Sequence, residues 1–402
     1  MPYKALVMLM LLLCSCCLGG CWDQEEITSL APISGLGMDA GEQPGMLRIS
    51  VQITAPGGTA GGVGSSGEAR LRVLSVEAET LAAGLIQLQG QLRRPPFMLH
   101  LSFVVLGEEL AKSGIDGVLV SLQAAPQIRT SVPLMVAAGS AEEVLRAHSG
   151  IGRTPGQDIT DLVENIANSP IGVRTTIIDA INTLSGIGSE LALPILDLAP
   201  LSLQSAINLP DDGTGLSGGQ YKEVKMERTA LFQRNRWVAT LDRLETNILT
   251  LLLGEGSRGI AVVPNPANPS QPLSGLHEGF TVSYESSVDG PNPPQVVIKP
   301  KVSIRLMEAF GGYDVAARGL EPIERAVEFD IQQEAQRLVD KLQQLGLDTL
   351  GLGQRIAGRH PREWSHLEPV WQDVYPQATV STQAKAEVKV TGMLRRFHQT
   401  KR

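Results

Sequence analysis

Two short runs of alternating apolar residues open the regular part of the chain. Residues 33–38 and 46–53 predict strands around the turn Asp39-Ala40-Gly41-Glu42-Gln43-Pro44-Gly45. Residues 56–67 are rich in Gly, Ser, Thr and Ala and predict a flexible surface loop. Leu74, Ala78, Leu81, Leu85, Leu88 and Leu92 recur at helical spacing, so one helix is expected there, closed by Pro95-Pro96. Residues 101–106 and 129–137 read as strands. Residues 108–123 read as a helix broken at Gly114, and 141–148 as a helix capped by Ser140, with Glu143 at the capping-box position.

The second half repeats the mixture. Ala230-Leu231-Phe232 and residues 237–241 predict a hairpin over Arg234-Asn235, and residues 279–284 and 295–306 predict two further strands. Residues 264–272 hold four prolines in nine positions and must be loop. From Pro322 a helix is expected: Ile323, Ala326, Val327, Ile331, Ala335, Leu338, Val339, Leu342 and Leu345 form one apolar stripe, ended by Gly346. Within 379–393, Val380, Ala384, Ala386, Val388 and Val390 alternate with Ser381, Gln383, Lys385, Glu387 and Lys389, which predicts a strand with one wet face. The fold class expected is α+β, with mixed β-sheets backed by helices in two or three domains. A Gly-, Pro- and Asp-rich linker at 199–226 divides a domain over 21–198 from one over 227–396, the second with room for two subdomains.

The first twenty-one residues have a different character. Lys4 is a minimal basic region, residues 5–13 are unbroken apolar, and Leu18-Gly19-Gly20-Cys21 follows. This is the layout of a secretory signal with its cleavage site. A spanning helix needs about 20 apolar residues, and this run reaches Gly19 only by counting Ser15 and three cysteines. All four cysteines (14, 16, 17 and 21) lie inside eight positions, which builds no disulfide framework. Leu-Gly-Gly-Cys resembles the bacterial lipobox, in which the cysteine sulfur receives a diacylglyceryl group before cleavage. Cys21 is therefore the lipidation site expected and residues 1–20 the signal peptide. Two acyl chains make a stable tether where one is marginal.

Charge and chemistry narrow the function. The formal net charge is −8 and aromatics are 4% of residues, which argues against a nucleic-acid partner and against general polybasic attraction to lipid. Gly62-Val63-Gly64-Ser65-Ser66-Gly67 satisfies GxGxxG, but inside a Gly-rich tract rather than between a strand and a helix. Gly215-Leu216-Ser217-Gly218-Gly219 satisfies GxSxG without the strand and helix of a nucleophile elbow. His360 and His366 lack companions of metal-ligand spacing, and Asp211-Asp212-Gly213 reads as a turn. No catalytic, cofactor or metal residues are expected.

The chain as a whole resembles the Ger(x)C family, the lipoprotein C subunits of spore germinant receptors in endospore-forming bacteria. Cys21-Trp22-Asp23 with Glu25-Glu26-Ile27, and Ile33-Ser34-Gly35-Leu36-Gly37-Met38-Asp39, match its opening. His100, Val104 to Ala111 and Gly114-Ile115 follow its histidine, strand and "EELA..GI" helix, while Gln127-Ile128-Arg129 and residues 137–145 follow its next two segments. Ala230-Leu231-Phe232, Leu241, Glu245-Thr246 and then residues 347–353, Arg355, Pro361, Trp364 and Trp371 continue the order. Residues 348–353 lack the aromatics usual there, and 56–67 and 264–272 look like extra loop. Trp364 and Trp371, seven apart, are expected to fill a core at helical spacing. The resemblance implies a non-enzymatic subunit acting with integral-membrane subunits A and B in nutrient-triggered germination, on the outer face of the spore's inner membrane. The alternative class is a lipid-anchored solute-binding protein of a transporter, which would show two lobes of repeated strand–helix alternation. A secreted hydrolase using Ser217 is a third.

Overall fold

The computed structural model describes Tyr3 and residues 30–390, apart from 56–69, 93, 148–154, 167–171, 201–221, 256–258, 291 and 309–312. Cys21, both Gly-rich motifs and Asp211-Asp212-Gly213 lie outside the described residues. Two mixed sheets backed by helices organise the rest, so the α+β expectation holds.

The first sheet opens with β1 (Ala31–Ala40), β2 (Leu47–Ala55) and β3 (Arg70–Ala78), an antiparallel meander. Its centre is parallel: β1 pairs with β4 (Pro96–Phe97) and β5 (Phe103–Leu106), followed by β6 (Leu134–Ala137) and β7 (Ala192–Pro200). Antiparallel β8 (Lys222–Gln233) and β9 (Arg236–Leu241) complete it. On one face its core includes Ile33, Leu36, Val104, Leu106 and Leu134; on the other it includes Phe103, Val105, Met135 and Ala137. A central strand buried on both faces reads as a continuous apolar run, as β5 and β6 do.

Among the described residues six helices lie between the strands of this sheet: α1 (Leu81–Gln91), α2 (Glu108–Ser113), α3 (Asp116–Ala124), α4 (Ala141–Arg146), α5 (Pro155–Ile166) and α6 (Ile177–Ser185). The single helix expected from Leu74 onwards is instead β3 followed by α1, which Thr80 caps by accepting from Ala83 N. Residues 129–133 are not strand. There the carbonyls of Thr130 and Val132 accept from Ile178 N and Ile177 N at 2.9 and 3.0 Å, while Pro133 has no N–H to offer a ladder. Ser140 accepts from Glu142 N, and Glu143 pairs with Lys222 at 2.9 Å instead of closing a capping box.

The stretch read as linker is partly strand: 199–200 end β7 and 222–226 begin β8, and these ends pair with each other. The hairpin β8–β9 turns at Arg234, whose φ of 54° is left-handed. After α7 (Arg243–Leu253) comes the second sheet, with β10 (Gly259–Val263), β11 (Leu273–Ser287) and β12 (Gln295–Glu308) antiparallel. Beyond α8 (Val315–Arg318), α9 (Glu321–Leu345) buries Ile323, Val327, Ala335, Leu338, Val339 and Leu342 of the predicted stripe. Each buried Ile, Val or Leu side chain contributes about 1.5–3 kcal/mol. Gly346 ends the helix at φ 67°, where a Cβ would be strained.

The chain closes with α10 (Leu352–Arg359), α11 (Pro361–Leu367), α12 (Trp371–Val374), β13 (Thr379–Thr382) and β14 (Lys385–Val390). The tail strand is thus two strands broken at Gln383-Ala384, both parallel to β12. Val380, Ala384 and Val388 are buried while Ser381, Gln383, Lys385, Glu387 and Lys389 are exposed, as the alternation requires.

Candidate functional site

The residues that carry the resemblance gather at two buried carboxylates, Asp39 capping a helix from a remote segment and Asp348 the helix that follows it in the chain. At the first, Asp39 ends β1 and accepts from Ala141 N at 2.7 Å, Glu142 N at 3.0 Å and Ser140 Oγ at 3.2 Å. It thereby holds the N-terminus of α4, where negative charge is favoured. Burial pushes the Asp39 carboxyl up, while the two amides and the hydroxyl oppose that rise.

Glycines explain how α4 reaches the strand. A methyl added at Gly35 would lie 2.5 Å from Phe103 Cζ, and one at Gly37 would lie 2.6 Å from Leu145 Cδ1. A methyl at Gly107 would strike Asp39 Oδ1 at 2.0 Å. The turn after α2 then docks on the hairpin of β8 and β9. Ile115 N donates to Asn235 O at 3.0 Å, Asn235 Nδ2 donates to Asp116 at 2.6 Å, and Lys112 Nζ lies 5.4 Å from the Trp237 ring. His100 takes no part; its ring rests on Phe97, 5.5 Å between centroids.

The second node is Asp348, fully buried. Its carboxylate accepts from Leu352 N and Gly353 N, both at 2.8 Å, and from Trp371 Nε1 at 3.0 Å. Burial is the largest influence and pushes it up to about 6, against these three donors. Around it Trp364 meets Trp371 edge-on with centroids 5.2 Å apart, and Tyr375 lies 6.0 Å beyond. The tryptophans fill a core, but from two helices, α11 and α12, separated by the short turn Glu368–Val370 rather than by two turns of one helix.

This node is also the seam between the two sheets. Glu190 N donates to Asp348 O at 2.9 Å and Gln354 N to Gly188 O at 3.1 Å. A methyl at Gly353 would lie 2.5 Å from Gly188 Cα, so the two backbones touch only because both residues are glycine. Beside the seam is an open cleft of about 520 Å³ lined among others by Arg174, Asp179, Glu190, Glu255, Thr349 and Arg355. Its carboxylates act as brackets. Glu255 accepts from Arg174 N at 2.9 Å and Glu190 from Arg234 N at 2.8 Å. Burial pushes both carboxyls up. The Arg355 guanidinium stacks on Tyr284 at 3.7 Å, while the Tyr284 hydroxyl donates to Leu252 O at 2.5 Å.

Chemically, these carboxylates hold backbone amides and tie the halves together. His360 Nε2 bonds the Ser286 carbonyl at 3.0 Å, whereas His366 is exposed and faces its own helix at Arg362 O. Among the described residues no three His, Cys, Asp or Glu side chains are grouped to hold a metal. No described helix is long and apolar enough to cross a membrane. The Asp348 cap and the Glu190 and Glu255 brackets were not anticipated from sequence. The pattern Asp348-x-x-x-Leu352-Gly353 before an amphipathic turn was the only local signal.

The order of these elements matches known proteins across most of the chain. Residues 23–198 match the Spore germination protein N-terminal domain, and residues 227–392 match the domain Spore germination B3/ GerAC like, C-terminal. Spore germination protein KC of Bacillus subtilis (strain 168) is 23% identical over 98% of this chain and 97% of its own. The putative spore germination protein YfkR of the same organism is 24% identical over 94% of each chain. In fold the chain resembles the crystal structure of the GerBC protein, with a TM-score of 0.56 and 17% identity over 91% of this chain and 99% of that one. With both halves of the family's architecture present in order, the chain belongs to the GerAC-like spore germination proteins.

Proposed function

We propose that the protein is the lipid-anchored, non-catalytic C subunit of a spore germinant receptor. The observation that carries this reading is the match to both family domains in order, beginning two residues after a lipobox-like Leu18-Gly19-Gly20-Cys21. A diacylglyceryl thioether on Cys21 holds the body at the outer face of the spore's inner membrane. From Cys21 to the first strand the chain can reach at most about 35 Å, so the folded body stays close to the bilayer. There it acts with the integral-membrane subunits A and B during nutrient-triggered germination.

Its role is that of a docking body. Supporting this, the buried carboxylates of Asp39 and Asp348 are engaged in helix caps and with a tryptophan, which gives them a structural task. The solute-binding alternative requires two lobes of repeated strand–helix units, and the sheets here are mixed, with antiparallel edges. Deleting the gene in a strain lacking sister receptors tests the role. Spores are expected to lose germination with at least one nutrient mixture while still responding to non-nutrient triggers; normal germination with every nutrient refutes it.

A further inference from the structure

The cleft beside the seam brings charges of both signs together from remote segments. On one wall Arg355 is already held in place: its Nε donates to Leu350 O at 3.2 Å and its guanidinium lies 3.7 Å from the Tyr284 ring. Its two terminal nitrogens have no acceptor among the described residues. Thr349, next to Leu350, also lines the cleft. It is only 6% exposed, and its Oγ1 is buried without a hydrogen-bond partner. A buried hydroxyl left unpaired is a standing cost that a bound acceptor removes.

On the other wall Glu255 commits Oε2 to Arg174 N, while its Oε1 has no partner among the described residues. Burial raises this carboxyl and the nearby Asp179 carboxylate adds to the rise, so a cation placed there would relieve both. Tyr284 ties the walls together. The ring that carries Arg355 donates its hydroxyl to Leu252 O, three residues before Glu255.

The lining sets Arg174 and Arg355 against Asp179, Glu190 and Glu255. An anion alone would meet the carboxylates, and a cation alone the guanidiniums. A molecule carrying both charges can meet each with its opposite. A metal ion fits poorly, since no three described His, Cys, Asp or Glu side chains are grouped to hold one. Leu191, Leu253 and Leu350 add an apolar portion, and the volume of about 520 Å³ suits a small molecule.

We propose that the cleft binds a small zwitterion of the α-amino-acid type with an aliphatic side chain. Its carboxylate meets the Arg355 guanidinium and the Thr349 hydroxyl, and its ammonium meets Glu255. A guanidinium offers a carboxylate two parallel N–H donors, a geometry that a point charge lacks. The proposal goes beyond the anchored-subunit reading. It depends neither on the acyl group nor on a membrane partner, so it can fail while that reading stands.

The test uses the mature chain, residues 21–402, with Cys21→Ser, and L-leucine as the probe. Thermal melts and titration calorimetry compare L-leucine with 4-methylpentanoate, which lacks the ammonium, and 3-methylbutylamine, which lacks the carboxylate. L-leucine is expected to give saturable heat and to raise the melting temperature. Each single-charge analogue should bind at least about tenfold more weakly, since it loses a charge-assisted contact. Arg355→Gln and Glu255→Gln should each weaken L-leucine binding at least about tenfold, and Thr349→Val about two- to tenfold. Thr349→Ser keeps the hydroxyl and should bind as wild type does. If Arg355→Gln or Glu255→Gln melts early without ligand, the contrast between Thr349→Val and Thr349→Ser decides. No binding of L-leucine, equal binding of either analogue, or wild-type affinity in both Glu255→Gln and Thr349→Val overturns the proposal.

Discussion

Asp348 sets three hydrogen-bond donors against burial, and the two pull its ionisation in opposite directions. Burial wins, so the carboxyl rises from an ordinary 3.8 to about 6. Ionising it then costs about 3 kcal/mol more in the fold than in the unfolded chain. The sign follows: because the folded value is raised, the stabilisation is complete below pH 3.8 and is lost as pH rises through about 6. Asp348→Asn keeps the shape of the neutral acid and cannot ionise. The variant is expected to be no more stable than wild type near pH 4, since an amide nitrogen would face one of the N–H donors, at a cost of about 1–3 kcal/mol. Between pH 4 and 7 the difference should move toward the variant by about 3 kcal/mol. Urea unfolding followed by the fluorescence of Trp364 and Trp371, which adjoin the carboxyl, measures it at each pH. A difference that stays flat, or moves toward wild type as pH rises, would show that the amides of Leu352 and Gly353 and the indole of Trp371 outweigh burial.

Other outcomes follow from the same packing. Gly353→Ala must separate Gly353 from Gly188 Cα, 2.5 Å from the new methyl, and should lower stability by at least about 1–3 kcal/mol in a thermal melt. Gly35→Ala drives a methyl against Phe103 and should cost a similar amount; an unchanged melting temperature would contradict the close packing of the Phe103 ring over β1. Thr176→Ala removes a capping box at α6 and should cost about 0.5–2 kcal/mol in chemical denaturation. His277 is held neutral by burial, its value lowered below 6.5, and its Nδ1 lacks a partner. The fold should therefore lose stability as pH falls from 6.5 toward that lowered value, and His277→Phe should flatten this part of the pH profile.

Much of the fold was legible because single elements obey one period. The stripe from Ile323 to Leu342 and the stop at Gly346 leave no alternative to a helix, and the alternation from Val380 to Lys389 leaves none to strand. Leu74 and Ala78 misled because a spacing of four fits both periods: it is about one helical turn and also two strand repeats. Val76 between them, buried beside Ala78, was the discriminating residue. The break of the tail at Gln383-Ala384 depends on where two strands meet β12, the Asp39 cap depends on a partner in a remote segment, and the burial of Asp348 depends on Trp371, 23 residues on. Asp39 and Ala141 are 102 residues apart, a pairing that no local pattern encodes. Gly35, Gly37 and Gly353 were visible as a motif, but their purpose, close backbone approach, appears only with the opposing side chains in place.

The lipid anchor is the claim on which the account of function turns, and mass spectrometry of the mature amino terminus tests it most directly. No Lys or Arg lies between Cys21 and Arg48, so trypsin should release one N-terminal peptide, residues 21–48. From membranes of the native host, that peptide is expected to begin at Cys21 and to carry a diacylglyceryl group on its sulfur. A mature chain that begins elsewhere, or an unmodified Cys21 thiol on protein recovered from the soluble fraction, would contradict the account.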